Sequence, residues 1–344
     1  MTNRVKKSTS GCLWIFIFAI LSLITYIFIN AFISQNFWLS LGLAVAFSLT
    51  LTSRWLGAPK LKQIFGNVFM IFFILMGLRL FMVFFVELFS IEPETSGFNK
   101  EEGVELVTTW IETDSVRVFK SHRVWQDNFG NDYQASLAVR EADYYNLRGL
   151  IDDCQPDDQS DFWGGLYDYV ETNDRPALDL VMGAFEEIHQ SQSLNQMQFA
   201  EMVVSCIQDI PYSLVFQAEC EDPERYERSI RNILESCPDC CIGGIPYGLQ
   251  NPVSFLANLK GDCDTRTVLI YSILQHFNYD VAILNSDYYR HSIIGLNLPA
   301  TGLHKNYFGK KYMVWETTAK YFRIGELPSS FNDVNYWNVV LTSK

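Results

Sequence analysis

Three long apolar runs in the first ninety residues restrict what this chain can fold into more than any other feature. The runs cover residues 12–33, 37–53 and 64–91, and their only charged residues are Arg79 and Glu87. An uncharged apolar stretch of about 18 residues or more is typical of a membrane helix, and the second run is only just long enough. We therefore expect a three-helix transmembrane anchor within residues 1–91, with the third helix ending at about residue 90.

Basic residues near the ends of these runs set the expected orientation. They are Arg4, Lys6 and Lys7 before the first run, and Arg54, Lys60 and Lys62 between the second and third runs. The positive-inside rule then predicts a cytoplasmic N-terminus and an extracytoplasmic domain after three crossings. A cleaved signal peptide is the less favoured alternative, because two more runs follow and no small-residue cleavage site is present. If the second run does not cross, the large domain would instead be cytoplasmic.

The rest of the chain is strongly acidic. Residues 92–344 contain 19 basic and 38 acidic residues, whereas residues 1–91 contain 7 basic and 1 acidic residue. A negative field of this size repels phosphate backbones, which excludes nucleic acid as a partner. The sequence contains no calcium-loop, P-loop or dinucleotide motif, so no cofactor is expected.

Apolar patterning divides the acidic part into a linker and two further regions. Residues 92–103 are a polar linker. Residues 104–150 alternate between apolar and polar side chains, which predicts a small antiparallel sheet with a hairpin turn at 128–132. Residues 151–344 form the expected catalytic domain, with helices predicted at 176–190, 195–209 and 222–236. Because helices come first and strands follow, the predicted fold class is α+β.

Cys263 lies where the chain breaks at Gly261-Asp262 and an apolar helix begins. It is expected in the first turn of that helix, which extends to about Phe277. Unpaired backbone N–H groups and the positive end of the helix dipole stabilise a thiolate there. The Cys263 amide is also placed to donate to an oxyanion. The sequence therefore predicts an activated nucleophile.

His291 opens a predicted strand and Glu316 lies on a later one. If the two strands pair as neighbours, Glu316 comes to lie beside His291. A thiol that attacks a carbonyl needs a base within hydrogen-bond reach and a third group that orients the base. Each residue alone is more often structural, as a buried cysteine, a hydrogen-bonded histidine or a solvated glutamate. Their combination favours a catalytic triad of Cys263, His291 and Glu316.

Several segments around this triad resemble the bacterial and archaeal transglutaminase-like superfamily. They are GDCDTRT (261–267), HFNYDVAIL (276–284), HSIIG (291–295), YMVWETT (312–318), FRIGELP (322–328), and upstream FAEMVVSCIQDIPY (199–212) and NPVSFL (251–256). The resemblance covers about residues 120–330 and is strongest over 197–327. It implies a papain-like core in which a helix-borne cysteine packs on an antiparallel sheet that carries histidine and the carboxylate.

The resemblance also implies a role for each member of the triad. Cys263 would be the nucleophile, His291 the general base and acid, and Glu316 the group that orients the imidazole. Many relatives have Asp where this chain has Glu316, which is one methylene longer and still able to accept from the ring N–H. Tyr247 and Gln250 are candidates for a further oxyanion donor, although a turn-forming role for residues 243–248 is the simpler interpretation.

The cysteines outside the first apolar run and the predicted nucleophile are even in number. They are Cys154, Cys206, Cys220, Cys237, Cys240 and Cys241, enough for three disulfides in an oxidising compartment. For the Cys237-Pro-Asp-Cys240-Cys241 cluster a structural disulfide to Cys206 or Cys220 is favoured. Free buried thiols are a second possibility. A metal or redox role is the third, and no second nearby ligand pair supports it.

These features together predict a membrane-anchored, extracytoplasmic thiol enzyme that acts on amide bonds of peptides or proteins in the cell envelope. Thiolate attack would give a thioester that water or an amine resolves. Hydrolysis is favoured over cross-linking because it needs no second substrate site. The alternative is a catalytically silent domain that binds or scaffolds envelope proteins.

Overall fold

The computed structural model describes residues 11–32, 37–57, 76, 103–154 and 161–343. The chain divides into two compact units, Met1–Ile91 and Glu92–Lys344.

Two helices form the described part of the first unit. They are α1 (Gly11–Phe32) and α2 (Phe37–Leu56), and they pack against each other. The indole of Trp14 donates to the backbone oxygen of Gly57 (3.1 Å), so the start of α1 lies beside the end of α2. Ser48 donates to the hydroxyl of Thr25 across the pair (3.5 Å). The two helices are therefore antiparallel and share polar contacts.

The predicted membrane anchor is not supported. Across the described ranges, no helix has both the length and the apolar character needed to cross a membrane. The prediction of three spans with a cytoplasmic N-terminus and an extracytoplasmic domain is therefore wrong. The third predicted span, except Met76, and the linker, except Gly103, lie outside the described residues.

The second unit contains helices and antiparallel strands in separate stretches of the chain. Its helices are α3 (Glu141–Leu147), α4 (Phe162–Asp174), α5 (Asp179–Gln192), α6 (Gln196–Asp209), α7 (Arg228–Ser236), α8 (Pro252–Asn258) and α9 (Cys263–His276). Its strands are β1 (Val104–Ile111), β2 (Asp114–Gln126), β3 (Asp132–Arg140), β4 (Leu214–Val215), β5 (Cys241–Ile242), β6 (Val281–Ser286), β7 (His291–Leu296), β8 (His304–Tyr307), β9 (Lys310–Trp315) and β10 (Asn338–Thr342). The α+β prediction is confirmed.

A three-stranded antiparallel sheet, in the order β1-β2-β3, opens the second unit. The turn between β2 and β3 is closed by Asp127, whose carboxylate accepts from the backbone N–H groups of Phe129 (2.8 Å) and Asn131 (2.9 Å). Such side-chain acceptance makes Asp a turn former. The predicted sheet and hairpin are confirmed.

The predicted helices are present with altered starts. Asn195 and Gln198 form a reciprocal capping box at the start of α6, in agreement with the prediction for 195–209. The helix predicted at 176–190 begins with a 3₁₀ turn at Arg175–Leu178 and continues as α5. The helix predicted at 222–236 is broken into a 3₁₀ turn at Pro223–Arg225 and α7.

The larger sheet is antiparallel throughout, with strand order β10-β6-β7-β9-β8. Both of its faces are buried. One face joins the main core through residues such as Ile283, Ile294 and Trp315, and the other packs around Trp337. The almost fully buried α9 packs on β6 and β7. The helix that begins at Cys263 therefore lies directly on the sheet that carries His291.

Two disulfides connect the segment between α6 and α8. Cys220 is bonded to Cys241, and Cys237 is bonded to Cys240. Cys154 and Cys206 are free and buried. The predicted partnership of the cluster with Cys220 is therefore correct, whereas the alternative with Cys206 is wrong, because Cys206 lies in the core on α6. The bond at Cys241 ties β5 to the chain that follows β4, its parallel partner.

Candidate active site

The loop before the nucleophile is tightly packed. A Cβ at Gly261 would come within 2.8 Å of the Phe255 ring and 2.9 Å of the Thr265 methyl, so only glycine fits. Asp262 caps α9, and its carboxylate accepts from the Thr265 N–H (3.2 Å). Cys263 is the first residue of α9, which confirms its predicted place in the first turn.

Arg266 holds this loop in place through hydrogen bonds to backbone carbonyls. Its buried guanidinium donates to the carbonyl of Gly261 (3.0 Å) and to the carbonyls of Ile207 (3.0 Å), Ile210 (2.8 Å) and Pro211 (2.6 Å). The last three carbonyls lie at or just beyond the end of α6, and the Ile207 carbonyl also accepts from the backbone N–H of Ile210 (3.3 Å). One buried side chain therefore joins the nucleophile loop to the end of a second helix.

His291 begins β7, and Glu316 directly follows the neighbouring strand β9 rather than lying on it as predicted. β7 and β9 pair directly, with Ile294 opposite Trp315, which confirms the predicted strand pairing. The Nε2 atom of His291 is 3.0 Å from Oε2 of Glu316. The side chain of Glu316 is fully buried, and that of His291 nearly so.

The second carboxylate oxygen of Glu316 is held by its own loop. Oε1 accepts from the N–H groups of Thr317 (3.0 Å) and Thr318 (2.7 Å) and from the Thr318 hydroxyl (2.5 Å). Gln208 donates to the Glu316 carbonyl (2.6 Å). The carboxylate is therefore fixed in position by donors on one side and by the imidazole on the other.

The imidazole of His291 also interacts with the thiol of Cys263, through charge and a side-chain hydrogen bond. Because Nε2 faces Glu316, Nδ1 is the ring atom left for the thiol. The structure thus brings Cys263, His291 and Glu316 together in that order, from the start of α9, the start of β7 and the end of β9.

The histidine–carboxylate pair is held in its charged form. Burial lowers the pKa of His291, but the charges of Cys263 and Glu316 and the hydrogen bonds to both raise it well above its ordinary value. Burial raises the pKa of Glu316, but the charge and hydrogen bond of His291, together with Thr318, lower it overall. An imidazolium beside a carboxylate is therefore the favoured state.

The thiol itself is not activated in this structure. Burial, followed by the charge of Asp264, raises the pKa of Cys263 to about 11, although His291 acts in the opposite direction. The prediction that the helix start stabilises the thiolate is therefore wrong for the resting protein. The main reason is the burial of the thiol, and the charge of Asp264 in the first turn adds to it by offsetting the positive end of the helix.

Asp264 belongs to this site, although the sequence motifs gave it no role. Its Oδ1 accepts from the hydroxyl of Tyr167 (2.7 Å), and that hydroxyl accepts from the amide of Asn285 (2.9 Å). Tyr167 and Asn285 are buried, whereas Asp264 is half-buried. The signal was present in the sequence as a second acidic residue next to Cys263, but Tyr167 lies almost a hundred residues upstream.

A set of aromatic rings, which we call the aromatic shelf, surrounds the open side of His291. Phe331 and Trp337 lie 5.1 and 6.0 Å from its ring centre. Tyr289 packs on both, and Tyr288 stacks on Tyr336 at 4.2 Å. Tyr288 is 69% exposed and Tyr336 is 45% exposed. Residues 329–337, which follow the resembling segments, therefore form part of the site.

The two candidate oxyanion donors are engaged elsewhere. Tyr247 donates its hydroxyl to the carbonyl of Cys154 (2.8 Å), and its φ of 59° places it in a strained turn. Gln250 donates its side-chain amide to Asn258 (3.0 Å). Both contacts are structural and fit the turn interpretation.

No group of three or more potential metal ligands occurs among the residues that the structure describes. Comparisons of the chain with protein-family models, with curated proteins and with solved structures gave no match.

Proposed function

We propose that this chain is a thiol enzyme of the transglutaminase-like type that acts on amide bonds of peptides or proteins. The observation that carries the proposal is the contact of His291 with both Cys263 and Glu316, with the Glu316 distance at 3.0 Å. Each of the three residues has the chemical group that its role requires: a thiol on Cys263, an imidazole on His291 and a buried, charged carboxylate on Glu316.

The arrangement of the elements supports a papain-like core. The cysteine begins a buried helix, and this helix packs on an antiparallel sheet whose neighbouring strands supply histidine and glutamate. The motifs that resemble the transglutaminase-like superfamily, GDC, HSIIG and WETT, coincide with the three points where these elements meet.

The chemical steps follow from the positions of the three groups. His291 in its neutral form takes the proton of the Cys263 thiol, the resulting thiolate attacks the amide carbonyl, and the Cys263 N–H at the start of α9 is placed to donate to the oxyanion. The imidazolium of His291 gives its proton to the leaving amine, and a thioester remains. His291 then takes a proton from water, which attacks the thioester, releases the acid and restores the thiol. Hydrolysis needs no second organic substrate and is therefore favoured over transfer to an amine.

One observation favours a second candidate, a catalytically silent domain that binds proteins. The pKa of Cys263 is raised to about 11, and the residue is only 7% exposed. A thiol in this state is a poor nucleophile at neutral pH. The silent domain would keep this state under all conditions, whereas the enzyme would leave it when substrate binds.

The first test is the rate at which iodoacetamide labels Cys263 in the purified full chain between pH 6 and pH 10, read by peptide mass spectrometry. For the enzyme, His291→Ala should slow labelling about tenfold or more at neutral pH, because it removes the cation that stabilises the thiolate. Cys206 is an internal control, because it is buried and its pKa is raised to about 12 by burial. Its labelling should not respond to His291→Ala.

Turnover gives the second reading. With a pool of fluorogenic peptides, Cys263→Ala should abolish cleavage while leaving the folded structure unchanged. Cleavage that persists in Cys263→Ala would refute the mechanism. Labelling of Cys263 that is slow at all neutral pH values and independent of His291 would instead support the silent domain.

A further inference from the structure

Charged side chains of both signs act on the nucleophile. Asp262 and Asp264 both act on the Cys263 thiol, and His291 is the cation that opposes them. Burial, followed by the charge of Asp264, raises the pKa of Asp262 to about 8, so Asp262 is largely protonated at neutral pH. Arg266 is close, but its guanidinium is used by four backbone carbonyls. The charge that faces the thiol is therefore mainly that of Asp264.

Asp264 is held in place by buried groups. Its Oδ1 accepts from Tyr167, which is fully buried and in turn accepts from the buried amide of Asn285. Two successive hydrogen bonds at 2.7 and 2.9 Å fix the carboxylate beside the thiol. The side chain remains half-buried, so a bound molecule can reach it. A fixed, partly open carboxylate beside a nucleophile attracts a cationic group of a substrate.

The aromatic shelf supports the same substrate charge independently. Its exposed tyrosine rings, Tyr288 and Tyr336, are joined through Tyr289 to Trp337, which packs against His291. Faces of aromatic rings attract cations through their quadrupole. The nearby guanidinium of Arg290 is paired with Glu227 (3.3 Å). The shelf thus adds exposed ring faces, joined to His291 through packed rings, that favour positive charge.

The charge of the whole second unit acts in the same direction. Residues 92–344 contain twice as many acidic as basic residues, 38 against 19. Such a field concentrates cationic molecules near the surface and repels anionic ones.

We propose that the active site takes a peptide or protein substrate that carries a positively charged side chain next to the reacting carbonyl, and that Asp264 receives this charge. The inference rests on the proposed function. It also explains why the pKa of Cys263 is raised in the resting protein. A bound cation offsets the negative charge of Asp264 and so favours the thiolate only when the correct substrate is present.

Charged thiol reagents test this inference without a known substrate. Three methanethiosulfonates that carry a trimethylammonium, a neutral methyl or a sulfonate group all form a mixed disulfide with the thiolate and release methanesulfinate. Rates at Cys263 in the full chain are read by mass spectrometry and divided by the rates with free cysteine. We expect the cationic reagent to react about tenfold faster than the anionic one, because Asp264 attracts the cation and repels the anion. A tenfold ratio corresponds to about 1.4 kcal/mol in activation free energy.

Asp264→Asn should reduce this charge preference to near one, because asparagine still accepts from Tyr167 but carries no charge. It should also speed the neutral reagent, because loss of the carboxylate lowers the pKa of the thiol. Asp264→Glu, which keeps the charge, should retain the preference. Glu187→Gln makes the same charge change at an exposed position on α5 and should leave it unchanged.

Each outcome has a distinct meaning. A preference that is equal in wild type and Asp264→Asn would overturn the inference, while His291-dependent labelling would leave the proposed function standing. A Cys263 that reacts with none of the three reagents would instead refute the proposed function. Circular dichroism of every variant shows whether the fold is retained, and Asp264→Glu decides the matter if Asp264→Asn does not fold.

Discussion

The candidate triad has two halves that favour opposite charge states. The histidine half is the pair of His291 and Glu316, and the thiol half is Cys263 with the start of α9. In the histidine half, every neighbour of Glu316 is a donor, and the pair with His291 favours charge on both residues. In the thiol half, burial, followed by the charge of Asp264, raises the pKa of Cys263 to about 11. The histidine half is thus ready for catalysis, whereas the thiol half is not.

This difference shows that a correct set of residues in contact is not sufficient for an active nucleophile. The start of a helix favours a thiolate, but only while its positive end is not offset by nearby carboxylates. Here Asp264, an acidic residue in the first turn of α9, favours the helix and at the same time removes part of the field that the thiol would use. Stability of α9 and reactivity of Cys263 therefore oppose each other.

The largest effect is expected from Glu316→Gln, which breaks the histidine half. The glutamine oxygen still accepts from Thr317 and Thr318, so its amide turns toward Nε2 of His291 and donates to it. The imidazole then carries its proton on Nδ1 and cannot accept one from the thiol. Turnover, and the rate of alkylation of Cys263 at neutral pH, should fall about 10²- to 10⁴-fold.

Glu316→Asp is the matched control, because it keeps the charge and shortens the side chain by one methylene. It should retain part of the activity. In an NMR titration, the pKa of His291 should fall in Glu316→Gln and remain raised in Glu316→Asp. An unchanged His291 pKa in Glu316→Gln would show that the two residues are not coupled.

A smaller effect is expected from removing the disulfide that supports the thiol half. The backbone N–H of Ser213 donates to the carbonyl of Gly261 (3.2 Å), and the backbone N–H of Leu214 donates to the carbonyl of Cys240 (2.9 Å). These two bonds connect the nucleophile loop to the residue before β5. The double variant Cys220→Ser/Cys241→Ser opens a loop with a sequence separation of 21. The free energy of unfolding should fall by about 3 kcal/mol in urea titrations.

The second disulfide provides the comparison for this prediction. Cys237 and Cys240 are separated by 3 positions, so their double serine variant should cost only about 1.5 kcal/mol. Loss of the longer bond should also change alkylation of Cys263 while leaving the His291 titration unchanged. Equal losses of stability in the two variants would contradict this account.

Local sequence signals were sufficient for most of the elements that position the site. The alternation of side chains predicted the three-stranded sheet, the break at Gly261 predicted the start of α9, and HSIIG and WETT marked strands that do pair. These signals succeed because they depend on periodicity and on neighbouring residues. The interruption of the helix near Tyr226 was missed, since nothing in its apolar pattern distinguished it from a continuous helix.

Contacts between distant residues could not be read in this way. Tyr167 reaches Asp264 across 97 positions, and Arg266 reaches Ile207 across 59. The raised pKa of Cys263 was missed for a related reason, because it depends on burial, which a motif does not report. The membrane prediction failed because no helix in the part of the chain that the structure describes combines the length and the apolar character that a crossing requires.

For each pH unit, the smallest expected effect separates the two halves by the pH dependence of stability. Burial, followed by the charge of Asp264, raises the pKa of Asp262 to about 8, so the folded state keeps a proton that the unfolded chain loses above about pH 4. Asp262 therefore makes the free energy of unfolding fall as pH rises from about 4 to 8, by at most about 1.4 kcal/mol for each pH unit. Glu316, whose pKa is lowered, has the opposite sign and contributes stability that is lost as pH falls.

Asp262→Asn should flatten this decline, because asparagine does not ionise and still caps α9. The comparison is made from pH 7 to 8, because Asp174, whose pKa burial raises to about 7, adds a decline of the same sign only below that range, and the decline from the raised pKa of His291 is shared by wild type and Asp262→Asn. Urea unfolding at pH 5, 6, 7 and 8 measures the slopes, with Asp174→Asn as the control that should lose the lower part and keep the upper part. Equal slopes for wild type and Asp262→Asn above pH 7 would mean that Asp262 is charged in the folded protein. The thiol would then face two carboxylates, and charge preference at Cys263 should persist in Asp264→Asn.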